Sequence, residues 1–182
     1  MGGPPGVGRS GIVMMALKRL EPSEVEVEPT LAVQVDGACG PGMDGLSEAM
    51  GRAFGALEAY MQAHGLTPAG SPRAVYTVSN PEGSRFIVAF PIAAPPAGKP
   101  EPGPVRVGEL PGGKMLCFAY YGSYSGLPEM YAAITAWLKE HGKLKSERDW
   151  ERYMPMWEEY LGDPSVTPPE DLLTCIYLPL GG

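Results

Sequence analysis

MGRAFGALEAYMQAHG (residues 50 to 65) and LPEMYAAITAWLKEHG (residues 127 to 142) are one helical pattern written twice, 77 positions apart. Met50, Phe54, Leu57, Tyr60 and Met61 map onto Leu127, Tyr131, Ile134, Trp137 and Leu138. Apolar residues at three- and four-residue steps form one stripe along a helix. His64-Gly65 and His141-Gly142 close the two stripes. Glycine suits the left-handed residue after a helix, and a histidine there meets the negative end of the helix dipole. His64 therefore has a structural task and needs no catalytic one. Asp44 or Ser47 is placed to cap the first helix. Pro128 falls in the first turn of the second, where a missing N–H does little harm.

The flanks repeat as well. Residues 24 to 35 alternate apolar side chains and are interrupted by Pro29, which predicts a strand with a break or bulge. Residues 37 to 42 hold three glycines and a proline and read as a flexible loop. Residues 73 to 79 and 85 to 92 are two strands, paired as a hairpin through Asn80-Pro81-Glu82-Gly83. In the second half, residues 105 to 110 and 114 to 121 form a strand region broken at Pro111-Gly112-Gly113. Further strands cover residues 154 to 161 and 172 to 178. Val88-Ala89-Phe90-Pro91 rhymes with Ile176-Tyr177-Leu178-Pro179. The reading is a duplicated strand-helix-strand-strand unit. The predicted fold is α+β: two βαββ units with pseudo-two-fold symmetry, antiparallel sheets with both helices on one face, and a ligand groove at the junction. The first unit spans residues 24 to 93, a proline-rich connector 94 to 104, and the second unit 105 to 180. All lie in a single domain, 21 to 182. Residues 1 to 20 are expected to be a disordered segment, with Met14 or Met15 as an alternative start and no room for a helix-turn-helix.

The totals exclude several classes. Of 182 residues, 14 are basic and 21 acidic, so the net charge is −7, which argues against nucleic acid. No apolar run is long enough for a bilayer. Cys39, Cys117 and Cys175 are odd in number and widely spaced; they read as reduced, mostly buried thiols of a cytoplasmic protein. No metal is expected, because nothing groups them with His64 or His141. No cofactor is expected either.

Trp157-Glu158-Glu159-Tyr160-Leu161-Gly162-Asp163-Pro164 holds the residue that needs explaining. On a strand Met156, Glu158 and Tyr160 share one face, and Trp157, Glu159 and Leu161 the other. Glu158 is then either a solvated glutamate on a wet face or a carboxylate at the floor of an aromatic pocket. Glu159 is expected to be solvated or salt-bridged.

That stretch, together with Tyr121-Gly122-Ser123-Tyr124 before the second helix and Leu173-Thr174-Cys175-Ile176-Tyr177-Leu178-Pro179 at the end, resembles the GyrI-like small-molecule-binding domain. That domain is also the ligand-sensing half of multidrug-responsive transcription regulators. The resemblance covers residues 24 to 180. It implies paired βαββ units around a groove in which a glutamate meets lipophilic cations and aromatic rings stack on them. The matching glutamate is Glu158. The ring candidates are Tyr160, Tyr121, Tyr124, Trp157 and Tyr76, with Met156 as an adaptable liner. It implies a stand-alone binder of lipophilic cations with broad specificity, since the chain shows no DNA-binding portion. Some stand-alone members hydrolyse cyclopropane-containing genotoxins, so a second reading makes Glu158 a general base positioned by Tyr121. A third is a protein-interaction module such as a gyrase inhibitor, whose protein partner is unknown.

Overall fold

The computed structural model describes residues 21 to 99 and 101 to 181. The expectations for residues 1 to 20 lie outside the described residues.

Among the described residues, eight strands and two α-helices follow in the order β1 (Ser23–Val27), β2 (Thr30–Cys39), α1 (Leu46–Ala63), β3 (Arg73–Asn80), β4 (Gly83–Pro91), β5 (Val105–Leu110), β6 (Gly113–Tyr121), α2 (Leu127–Glu140), β7 (Met156–Leu161) and β8 (Leu173–Pro179). The strands form one antiparallel sheet in the order β1-β6-β8-β7-β3-β4-β2-β5. The two units meet where β3 pairs with β7, at Ala74 opposite Glu158 and Tyr76 opposite Met156.

The duplication reaches into side-chain detail. His64 Nδ1–H donates to the Tyr60 carbonyl at 2.9 Å, and His141 Nδ1–H to the Trp137 carbonyl at 2.8 Å. Each imidazole also stacks on that same aromatic ring, at 4.0 and 3.9 Å. Gly65 and Gly142 follow at φ 60° and 67°. The first helix departs from expectation at its start: Gly45 is the N-cap, and neither Asp44 nor Ser47 caps it.

Both helices lie on one face. Ala53, Leu57 and Met61 of α1, with Met130, Ile134 and Leu138 of α2, pack on Val33, Val88, Phe118, Ile176 and Leu178. The opposite face has its own smaller core of Ala32, Val75, Ala89, Leu110, Met115 and Trp157.

The second core exists because the sheet rolls up. The expected single strand broken at Pro29 is two strands that go to opposite ends: β1 pairs with β6 and β2 with β5. The region broken at Pro111 to Gly113 does the same in reverse. In a flat sheet, β5 and β6 would lie six strand spacings apart, about 29 Å. The two residues joining them reach only about 11 Å. The edges must therefore curl towards each other over the helix-free face. The two connectors cross there, and a Cβ on Gly112 would collide with the Val27 carbonyl oxygen and the Pro29 nitrogen. Gly37, expected in a loop, lies inside β2, where the Phe86 ring occupies the place of a side chain.

Candidate functional site

Glu158 points to the helix side of β7 and is 4% exposed. Burial raises its pKa above the ordinary carboxylate value, and hydrogen bonds from Tyr131 and Tyr160 pull it part of the way back. The Tyr131 hydroxyl donates to Oε1 at 2.6 Å, and the Tyr160 hydroxyl donates to Oε2 at 2.5 Å. Both phenols have pKa values well above normal, from burial first and the carboxylate second. Tyr76, across the junction on β3, is raised by the same two causes in the same order.

The carboxylate faces a cavity of about 1130 Å³. Both units contribute to its wall. Leu46, Met50 and Phe54 come from α1, and Leu127, Tyr131 and Thr135 from α2. Trp150, within the 3-10 segment Glu147–Tyr153, and Met154, at its C-terminal end, close one side. Aromatic edges hold the phenols in place: Tyr160 meets Tyr124 at 5.5 Å and Phe54 at 6.3 Å, and Tyr131 meets Trp150 at 6.2 Å. Glu58, Glu158 and Asp163 line the cavity, and among the described residues no Lys, Arg or His does. Hydrogen bonds from Ser165 hold Asp163 below the ordinary carboxylate value.

Of the residues singled out in the sequence, Glu158, Tyr160, Tyr124, Met156 and Tyr76 come together in this wall. Two do not. Trp157 points to the other face, is 2% exposed and stacks on Tyr177 at 5.5 Å. Tyr121 is 68% exposed and lies outside the cavity, because its neighbour Tyr120 takes the inward place on β6. Tyr121 is therefore not placed to position a water for Glu158. Glu159 lies 3.5 Å from Arg73 Nε, so of the two surroundings expected for it, water or a salt bridge, the structure has the salt bridge.

Sequence reasoning misses Tyr131 as a polar partner and Trp150 altogether. In the sequence Tyr131 is only one more member of the α2 stripe. The available signal is chemical: a buried phenol needs an acceptor. Trp150 sits in a stretch with no periodicity to read.

Residues 20 to 180 match the GyrI-like small molecule binding domain. No curated protein sequence matches the chain. Among solved structures, the EcmrR C-terminal domain superposes with a TM-score of 0.64 at 15% identity, covering 88% of this chain and 97% of that domain. Against the EcmrR chain of an EcmrR–DNA complex the TM-score is 0.67 at 15% identity, over 88% of this chain, which spans 57% of that one. SAV2435 bound to tetraphenylphosphonium superposes with a TM-score of 0.61 at 12% identity, over 87% of this chain and 93% of that one. At these identities the likeness is one of fold.

Proposed function

The chain belongs to the GyrI-like small-molecule-binding family, and from that premise we propose that the cavity takes lipophilic organic cations of varied shape, with Glu158 as the counter-charge. One observation carries this reading. Glu158 is buried at the cavity floor with two neutral hydroxyls on its oxygens, and among the described residues no basic side chain stands in the wall. The phenols satisfy its lone pairs but leave its charge unopposed. A carboxylate in that position either keeps a proton or takes a cation.

The wall suits the second choice. Tyrosine, tryptophan and phenylalanine faces attract a cation by roughly 0.5–2 kcal/mol each. Met50, Met154 and Met156 adapt to different outlines. The volume exceeds the roughly 300–1,000 Å³ of a usual ligand pocket. A site of that size with few directional bonds tolerates many shapes. SAV2435 is seen with tetraphenylphosphonium, so a cation of that class is the first to try.

The hydrolase reading fits the geometry less well. It loses Tyr121, and the two phenol hydrogen bonds weaken Glu158 as a base.

The test is a fluorescence titration with rhodamine 6G, with tetraphenylphosphonium as competitor, on the wild type, Glu158→Gln and Glu159→Gln. Glu158→Gln should bind at least about tenfold more weakly, ~1.4 kcal/mol. Glu159→Gln should bind like the wild type. Equal affinity in the wild type and Glu158→Gln overturns the proposal. A ring-opened product from a cyclopropane-bearing alkylator, absent with Glu158→Gln, would favour the hydrolase instead.

A further inference from the structure

The sheet face turned away from the cavity brings together two thiols that are far apart in the sequence. Cys117 on β6 and Cys175 on β8 are both free and half-buried. The register sets Cys117 opposite Tyr177 and Ala119 opposite Cys175, so the cysteines are diagonal neighbours on one face. Glu159 on β7 is directly across from Cys175. The Tyr177 hydroxyl donates to Glu159 Oε1 at 3.3 Å.

We propose that Cys117 and Cys175 form a two-coordinate site for a soft monovalent cation, Cu(I) or its analogue Ag(I). Geometry separates this from a disulfide. Diagonal neighbours on a sheet sit about 7–8 Å apart. A disulfide across more than about 7 Å between Cα atoms needs backbone movement. Both strands are interior to the sheet and paired on each side, which resists such movement. With metal–sulfur bonds near the roughly 2.3 Å of a zinc–thiolate bond, a linear unit sets the sulfurs about 4.6 Å apart, and so bridges the wider gap.

The ligand count selects the ion. Among the described residues no group of three or more His, Cys, Asp or Glu side chains can hold a metal. Zinc in a structural site wants four ligands, and calcium and magnesium want oxygen. Thiolates select soft ions, and a linear two-sulfur shell satisfies Cu(I). Uptake forms two sulfur–copper bonds and releases both thiol protons to solvent. The resulting S–Cu–S unit carries one negative charge. Arg73, in register with Glu159 and so in the same row as Cys175, is already paired with that carboxylate.

The experiment uses the full chain, reduced and free of oxygen, titrated with Cu(I) against the chromophoric chelator bathocuproine disulfonate. One equivalent should transfer to the protein. Cys117→Ser and Cys175→Ser should each lose more than the roughly hundredfold that changes around a metal's ligands cost. Cys39→Ser should behave as wild type, and excess Zn(II) should not compete. A measurement on the wild type alone guards against misfolded variants: Ag(I) should protect two of the three thiols from iodoacetamide, leaving Cys39 to label. No transfer, transfer that survives in either cysteine variant, or labelling of all three thiols under Ag(I) overturns the proposal. So does a rapid two-hydrogen mass loss when the metal-free wild type is mildly oxidised, with Cys117 and Cys175 then no longer labelled by iodoacetamide, which assigns the pair to disulfide chemistry.

Discussion

Glu158 and Glu159 are adjacent and chemically identical, yet β7 sends them into opposite surroundings. Glu158 enters the helix-covered side, where tyrosine hydroxyls occupy both oxygens and no described cation neutralises it. Glu159 enters the rolled side, where Arg73 lies 3.5 Å away. One is solvated by neutral dipoles inside a large cavity; the other sits in an ion pair beside the smaller second core. The difference teaches how a strand assigns roles. Alternation chooses the face, and the face decides whether a carboxylate is a structural partner or a charge awaiting one.

Trp157, which precedes the two acids and lies on the face away from the cavity, is the harshest way to break the comparison. Trp157→Ala should cost about 3–5 kcal/mol, because it empties the second core. Denaturant midpoints would show it, while the folded fraction should still bind dye with unchanged affinity. A loss of affinity without a loss of stability would mean that the two faces are not separate.

The pH dependence sharpens the contrast next. Folding raises the Glu158 pKa, so the folded state holds that proton more tightly than the unfolded chain, whose value is near 4.5. Glu158 therefore weighs least on stability below that pH. Its cost grows as pH rises through the window up to the folded value, by about 1.4 kcal/mol for each tenfold difference in proton affinity between the two states. Stability of the wild type relative to Glu158→Gln should fall across that window and then level off. A difference that stays flat with pH would place Glu158 in water. Cation affinity should move the other way, dropping as pH falls below the folded value.

Tyr131→Phe is milder. Losing one hydrogen bond to the carboxylate should cost about 1.5–3 kcal/mol. It removes a donor that lowers the Glu158 pKa, so the pH midpoint for dye binding should move upward. A downward move would show that the phenol stabilises the protonated acid. Smallest is Tyr121→Ala, which should leave dye affinity unchanged and stability within about 0.5 kcal/mol, as expected for an exposed side chain. A clear loss of affinity would return Tyr121 to the site.

Much of the fold was legible because the duplication is written in helix stripes and in His64-Gly65 against His141-Gly142, all local signals. Glu158 stood out for a similar reason: strand alternation separates it from Glu159 without knowledge of the partners. The exchange of edge strands was not legible. Pro29 and Gly112 mark breaks, but a break carries no information about which edge the chain joins next. Tyr121 enters the candidate set through the family motif and Trp157 through its place beside Glu158, yet Tyr121 faces outward and strand parity turns Trp157 to the other face. Tyr131 was hidden by its place in an apolar stripe, since periodicity reports direction and is blind to a hydroxyl at the tip of a ring.

The crossing at Gly112 makes the two halves interdependent. Each unit is completed by a strand that belongs, by chain order, to the other: β1 is lent to the second half and β5 to the first. Cutting the chain in the proline-rich connector would separate two pieces that each lack an edge on their own. The pieces would have to find each other to recover it. The cavity between them is in this sense the inside of a handshake, built only once both arms are exchanged.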